Sequence, residues 1–274
     1  MHWVIGDIHG MFHPLKRLLR AIEEEDSSAE LIFAGDYVNR GPDSFKVIEL
    51  LMGLKNAQFI RGNHDDVFDL VLHGHSYADG AGNTSPAQAF QWFMDYGLDS
   101  TFYSYGADWE WLNETALNPT PERIGRLSEF VPENHREFIR TLPAVVEHET
   151  FFVLHGRWAP NEPCYPPSIS ENLRADPSGR QNVLWARFPK EEVHVPKAWN
   201  RRGFFGHTPV HAYFPNPRRA PMVPIVGPNI VLLDTAVALT TAGRLTAFCV
   251  EEDRYIQTSH FGELIEESES QVRS

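Results

Sequence analysis

The sequence predicts an α/β fold in which parallel β-α-β units are interrupted by a helical insertion, and three observations predict it. Five short apolar stretches each run into a Gly beside a carboxylate, amide or imidazole: "WVIGDIHG" at 3–10, "LIFAGD" at 31–36, "FIRGNHD" at 59–65, "FFVLHG" at 151–156 and "FFGHTP" at 204–209. Each reads as a buried strand that delivers polar side chains at its C-terminal end, where sites of open α/β sheets are built. Helical periodicity separates the first three stretches, and between 66 and 149 the strand pattern gives way to helical segments.

The elements follow in order. After the first strand, Pro14 suits a first helical turn, and Leu15, Leu18, Leu19 and Ile22 repeat at i, i+3, i+4, i+7. A second helix is expected after Ser44, with Phe45, Val47, Ile48, Leu51 and Met52 facing inward before the strand that ends at Asn63. The 29 residues from Asp7 to Asp36 and the 27 from Asp36 to Asn63 are close to a crossover length. The helical insertion, about 66–149, includes segments at 86–96 around Phe90, Trp92 and Phe93 and at 132–142 around Phe138, Ile139 and Leu142. It is expected to cover the sheet rather than to form a second domain. Its Gly-rich loop 79–85 reads as a flexible connection, because no helix N-terminus with a Lys follows it. Two Pro-rich segments, 158–167 and 209–228, are expected to rim a cleft. Strands "NIVLLDT" and "LTAFCV" close a single domain over 1–260, and the tail 261–274, with Glu263, Glu266, Glu267 and Glu269 among serines, is expected to be disordered.

Composition narrows the function classes. With 274 residues, 42% hydrophobic and 22% charged, the chain can bury a full core. Its longest apolar runs fall far short of the roughly 20 residues of a membrane span. The opening "MHWVIGD" lacks the basic and apolar regions of an export signal, so a cytoplasmic location is expected. The two cysteines, Cys164 and Cys249, form no disulfide framework. A formal charge of −13 opposes attraction to nucleic acid and to acidic lipid, so neither is expected as a partner. An anionic substrate would need a local cationic site.

Six residues, expected at the ends of five neighbouring strands, supply one: Asp7, His9, Asp36, Asn63, His155 and His207. Read singly, such an Asp caps a loop and such a His is a hydrogen-bonded core residue. Read jointly, at five strand ends with Gly at every turn, they point to metal. Mixed oxygen and imidazole ligands suit Mn²⁺, Fe²⁺ and Zn²⁺. Six ligands exceed one tetrahedral site and suit two ions about 3.5–4 Å apart with one bridging carboxylate.

The ordered set "GDIHG", "GDYVNRGPDS", "GNHD", "HG" after an apolar strand, and "GHTP" resembles the signature of the calcineurin-like metallophosphoesterases, in particular the phosphoprotein phosphatase branch and its bacterial members. The likeness runs over 6–236 and implies a four-layer αββα sandwich. It implies two divalent ions, Mn²⁺ first with Fe or Zn as alternatives. Asp7 and His9 would ligate the first ion, Asp36 would bridge, and Asn63, His155 and His207 would ligate the second, with an activated water attacking phosphorus in line with the leaving group. His64 resembles the general acid that protonates the leaving alkoxide. Arg40 and, less closely, Arg187 match phosphate clamps, and Arg157 is either a third clamp or a surface charge. One position departs from the pattern: the family reads "GDxVDRG", and Asn39 stands where its second Asp orients and charges the catalytic imidazole. An amide keeps the hydrogen bond and brings no charge, so reduced turnover with intact metal binding is expected.

The resemblance therefore implies a metal-dependent phosphomonoester hydrolase acting on phosphoserine or phosphothreonine in proteins, with phosphotyrosine and small phosphoesters as further substrates. Two competing readings stand beside it. One is a symmetrical diadenosine tetraphosphatase, which would need base-stacking aromatics beside the metals. The other is a phosphoprotein-binding pseudophosphatase silenced at Asn39. His73 and His75 form an H-x-H pair in the insertion with no carboxylate in view, and Trp92, Trp109, Trp111 and Trp158 read first as core.

Overall fold

The structure, a computed structural model, describes residues 1–78, 84–159 and 168–265. The first half of the chain runs β1 (His2–Ile5), α1 (Phe12–Glu25), β2 (Glu30–Phe33), α2 (Ser44–Met52) and β3 (Ala57–Phe59). Helices α3 (Asn63–His73), α4 (Pro86–Met94), α5 (Leu98–Ser104), α6 (Trp109–Leu117), α7 (Pro121–Phe130) and α8 (Glu133–Thr141) follow. Strands β4 (Val145–Glu147) and β5 (Phe151–Leu154) precede α9 (Ile169–Ala175) and α10 (Pro177–Trp185). The chain closes with β6 (Arg202–Phe205), β7 (Ile225–Val226), β8 (Ile230–Leu232), β9 (Arg244–Cys249), β10 (Arg254–Ser259) and β11 (Leu264–Ile265).

The strands form two sheets, one ordered β11-β10-β9-β1-β2-β3 and the other β4-β5-β6-β8-β7. Period-two alternation decides how they stack. Val4, Ile32, Phe151, Val153, Phe204, Val231 and Phe248 meet in one buried cluster between the sheets. Their neighbours Trp3, Ile5 and Phe33 turn outward under α1, α2 and the helical run, while Phe152, Leu154, Phe205 and Leu232 turn outward under α9 and α10. Both faces of the inner strands are thus apolar, which is why they read as continuous hydrophobic runs. The result is the four-layer αββα arrangement, and α3 to α8 share the core of the first sheet's helical layer.

The five motif strands are not neighbours in one sheet. β1, β2 and β3 pair in parallel in the first sheet, and β5 and β6 pair in parallel in the second. The helical run also begins earlier and ends sooner than the sequence suggests. Asp65 accepts the Gly62 N–H at 2.9 Å and caps α3, so Asn63 and His64 lie on its first turn rather than in a loop. By Val145 the chain is back in a sheet, pairing with Leu154. Most of the loop 79–85, most of the Pro-rich segment 158–167, Cys164 and most of the acidic tail lie outside the described residues. No helix among those described is long and apolar enough to cross a membrane.

Candidate metal centre

The loops after β1, β2, β3, β5 and β6 converge, and their geometry depends on backbone that side chains rarely adopt. His9, Asp36, Asn39, Arg40 and His207 all have positive φ, between 48° and 72°. Each such residue costs roughly 1–3 kcal/mol and persists only where its surroundings fix it. Glycine does the complementary work. A Cβ on Gly62 would land on Asp36 Oδ1 and one on Gly206 on Asp7 Oδ1, so both carboxylates sit where only a bare backbone lets them.

Asp36 is the centre of the constellation. Ligand atoms of His9, Asp36 and His64 lie within 4.8 Å of one another, as do those of Asp7, Asp36 and His155, so Asp36 belongs to both groups. Its Oδ2 is 3.4 Å from His9 Nε2 and its Oδ1 3.4 Å from His155 Nε2. Three histidines have one ring nitrogen committed to a backbone carbonyl: His9 Nδ1 to Val38 O at 2.9 Å, His155 Nδ1 to Ala34 O at 2.8 Å, and His207 Nε2 to Trp185 O at 2.9 Å. The other nitrogen of each therefore presents its lone pair to the centre, the orientation that metal-ligating imidazoles take. His9 Nε2 is buried without a hydrogen-bond partner. Asn63 Oδ1 lies 2.9 Å from both His155 Nε2 and His207 Nδ1, three acceptors without a hydrogen among them when the rings are neutral. A cation satisfies such a set, and the six residues fit a pair of divalent ions.

Charge tells the same story. Burial opposes ionisation of Asp36, but His155, His64 and His9 around it hold its carboxyl well below the usual range. Burial and the nearby Asp234 push Asp7 well above it. His9 is pushed well down by burial and Arg40, and His207 down to about 3 by burial and His155. A proton competes for the metal position: burial disfavours a charged His155, yet Asp36 and Asp7 override it and push its pKa up to about 10.

His64 stands over this centre. Asn39 Nδ2 faces its Nδ1 at 2.8 Å, and Arg40 Nη2 lies 3.3 Å from its Nε2. Burial first, then Arg40 and His155, lower its pKa to about 4, against the pull of Asp36. Asp36, Asn63 and His207 floor a cavity of about 140 Å³ that Arg40 and Arg187 border. Four aromatics, Trp92, Phe93, Tyr96 and Trp185, complete its wall. Trp92 and Trp185 lie parallel, 9° apart with ring centroids 6.0 Å from each other. Arg157 is not among the described lining residues; its guanidinium is bound to both carboxylate oxygens of Glu192 at 2.9–3.0 Å.

Two buried acids play parts that sequence reasoning did not assign. Asp65 accepts the N–H groups of Asp36, Tyr37 and Gly62 at 2.8–2.9 Å and so ties the bridging loop to α3, while burial and Asp36 push its pKa up to about 7. Asp234, at the end of β8, takes the Ala236 N–H on one oxygen and leaves the other buried and unpartnered. Its signal was an apolar strand running into a polar residue, lacking only the Gly of the other five. Two set-aside signals also resolve: His73 and His75 both bond Asp69, at 2.8 and 2.9 Å, so a carboxylate does stand beside them, and Trp158 packs on Phe152 and Trp199 in the core.

Comparisons with known proteins agree with this geometry. The chain is 40% identical over 70 residues to the symmetrical bis(5'-nucleosyl)-tetraphosphatase of Coxiella burnetii, covering 26% of this chain and 24% of that one. It is 42% identical over 74 residues to the enzyme of the same name from Shewanella sp. (strain MR-4), 27% of each chain. The chain thus spans about a quarter of the length of the curated relatives it matches. In fold it is similar to a crystal structure provisionally described as a diadenosine tetraphosphatase, with TM-score 0.51, 21% identity and coverage of 94% and 92% of the two chains. It is also similar to a protein serine/threonine phosphatase from Saccharomyces cerevisiae, with TM-score 0.50, 15% identity and coverage of 98% and 81%. The model of the calcineurin-like phosphoesterase family matches residues 2–218, which takes in every loop of the centre, and the chain belongs to that family.

Proposed function

We propose that this member of the phosphoesterase family hydrolyses the phosphoanhydride chain of nucleotides, with dinucleoside polyphosphates of the diadenosine tetraphosphate type as the substrate class. The observation that carries this reading is the aromatic wall. Trp92, Trp185 and Tyr96 border the same cavity as Asp36, Asn63 and His207, and Trp92 and Tyr96 are nearly half exposed, so a base has a π-surface to lie on within reach of the centre. The names of the relatives similar to about a quarter of this chain support it.

The six centre residues would hold two divalent ions, which when bound activate water and neutralise phosphoryl charge. Arg40 and Arg187 grip the phosphoryl oxygens bidentately and set phosphorus over the centre. Asn63 and His64, on the first turn of α3, lie at the positive end of a helix, which favours an anion there. His64 Nε2 faces the leaving group and gives it a proton, with Asn39 holding the ring. With its pKa lowered to about 4, only a small fraction of His64 is the imidazolium at pH 7, which fits a slow acid, as the missing carboxylate at 39 implies. Hydrolysis of phosphoserine or phosphothreonine in proteins is the second reading, carried by the two arginines, which bind a phosphoryl group whatever bears it.

The test compares nucleoside diphosphate release from diadenosine tetraphosphate with phosphate release from a phosphoserine peptide, for the unchanged chain and for Trp92→Ala. The variant is expected to lose about tenfold in kcat/KM on the dinucleotide, the value of one base stack, and little on the peptide. Preference for the peptide, with Trp92→Ala without effect, would replace the first reading by the second.

A further inference from the structure

The helical run does more than wall the cavity; it reaches into the turn that carries the partner of His64. Thr101, on α5 and fully buried, accepts the Asn39 backbone N–H at 2.8 Å and donates its hydroxyl hydrogen to Asn39 Oδ1 at 2.9 Å. Ser44 Oγ, at the start of α2, lies behind it at 3.2 Å. Just before α5, the Gly97 carbonyl takes the Arg40 N–H at 3.1 Å, and a Cβ on Gly97 would strike the Arg40 backbone. Two consecutive left-handed residues, Asn39 and Arg40, are thus held by one segment.

The chemistry of residue 39 gives these contacts their meaning. A carboxylate offers two equal oxygens, whereas a carboxamide offers an acceptor at one end and a donor at the other. With Asn39 Nδ2 toward His64, as found, Nδ1 of the ring must be the bare nitrogen, so the ring is neutral and is not the acid in this arrangement. With the amide turned over, Oδ1 would take the hydrogen on Nδ1 of the imidazolium, and Nε2 could release its own proton to a leaving group and leave the ring neutral. The turned amide would set its Nδ2 against Thr101, whose hydroxyl can accept it and pass its hydrogen to Ser44 Oγ. The Thr101–Ser44 pair is satisfied either way; an apolar side chain at 101 would serve neither arrangement.

We propose that Thr101, backed by Ser44, is a positioning residue for the general acid: its hydroxyl can accept the turned Asn39 amide and so lets the acceptor end of that amide meet His64. This rests on the reading of His64 as that acid. It also implies that the need for Thr101 is peculiar to an amide at 39, because two equal oxygens need no such guidance.

The experiment measures kcat and KM on phosphoesters with leaving groups of graded basicity for the full chain, Thr101→Val, Asn39→Asp and the double variant. Thr101→Val is expected to lower kcat about tenfold on an alkyl ester and much less on an activated aryl ester, with KM held within about twofold. In the Asn39→Asp background the same change should cost no more than about twofold, a coupling that direct contact produces and general scaffolding does not. Thr101→Ser should recover most of the loss. Equal losses in both backgrounds, or one loss for every leaving group, would overturn the proposal. If Thr101→Val fails to fold, Ser44→Ala carries the same comparison, with a smaller loss expected only on poor leaving groups and only with Asn at 39. His64→Ala separates the two levels. A loss there that ignores the leaving group removes the acid itself; a loss that follows it, with Thr101→Val silent, removes only the role of Thr101.

Discussion

At the scale of single residues, the position of one hydrogen decides what each ring can do. Backbone carbonyls fix it for His9, His155 and His207, and a side-chain amide fixes it for His64. Asn39→Asp should therefore raise kcat on alkyl phosphoesters by at least about tenfold, toward the 10²–10⁴ typical of general acid catalysis, and change activated aryl esters little. Equal rates for the two proteins would show that residue 39 does not govern the acid. The proton on His155 makes a second prediction. Its pKa is pushed up to about 10, above the usual value for a histidine, so the metal-free protein holds that proton through neutrality and a cation must displace it. Apparent Mn²⁺ affinity of the site that includes His155 should rise about tenfold per pH unit over roughly pH 6–9, with about one proton released as that site fills. Calorimetry in buffers of different ionisation enthalpy reads both, and an affinity flat with pH would contradict the displacement.

At the scale of elements, the strands and their polar ends were legible because an apolar run into Gly and a ligand-type side chain is a local signal. The contacts that fix those ends were not. Thr101 reaches Asn39 across 62 positions, and Arg61, placed inside "FIRGNHD", gave no hint that it is buried against Asp66 and Asp69 and against the carbonyls of Ile139 and Arg140. That guanidinium joins α3 to the end of α8, and the pattern of residues along either helix does not encode it. Arg61→Ala should cost about 3–5 kcal/mol, because two buried carboxylates lose the guanidinium that pairs with both. Urea denaturation measures it; a loss below about 1 kcal/mol, the value of a surface pair, would mean that the network relaxes without it. Gly206→Ala is the complementary case: it should displace the Asp7 carboxylate and lower bound metal while leaving the far-ultraviolet spectrum unchanged. Full metal content in that variant would refute the close approach.

At the scale of the whole molecule, the centre is where the two sheets meet. Asp7, His9, Asp36 and Asn63 follow strands of one sheet, and His155 and His207 follow strands of the other. The ordered motifs made both halves of this arrangement readable, since the likeness carried the αββα layering as well as the residues. They left the substrate open, because the aromatic wall comes from α4, the turn after it and α10, outside any motif. Metal at 1,000 times its dissociation constant should stabilise the fold by about 4 kcal/mol, seen as a melting temperature that falls on chelation and returns with Mn²⁺. A melting point indifferent to chelator would leave the sheets joined by their apolar interface alone.

The bond from His207 to the Trp185 carbonyl has an optical consequence. Trp185 is stacked beside Trp92 in the wall of the cavity, so a shift of that imidazole on cation binding would reach a pair of parallel indoles. Unlabelled tryptophan emission is therefore expected to change when Mn²⁺ is added, and an emission indifferent to Mn²⁺ would show that the bond transmits nothing.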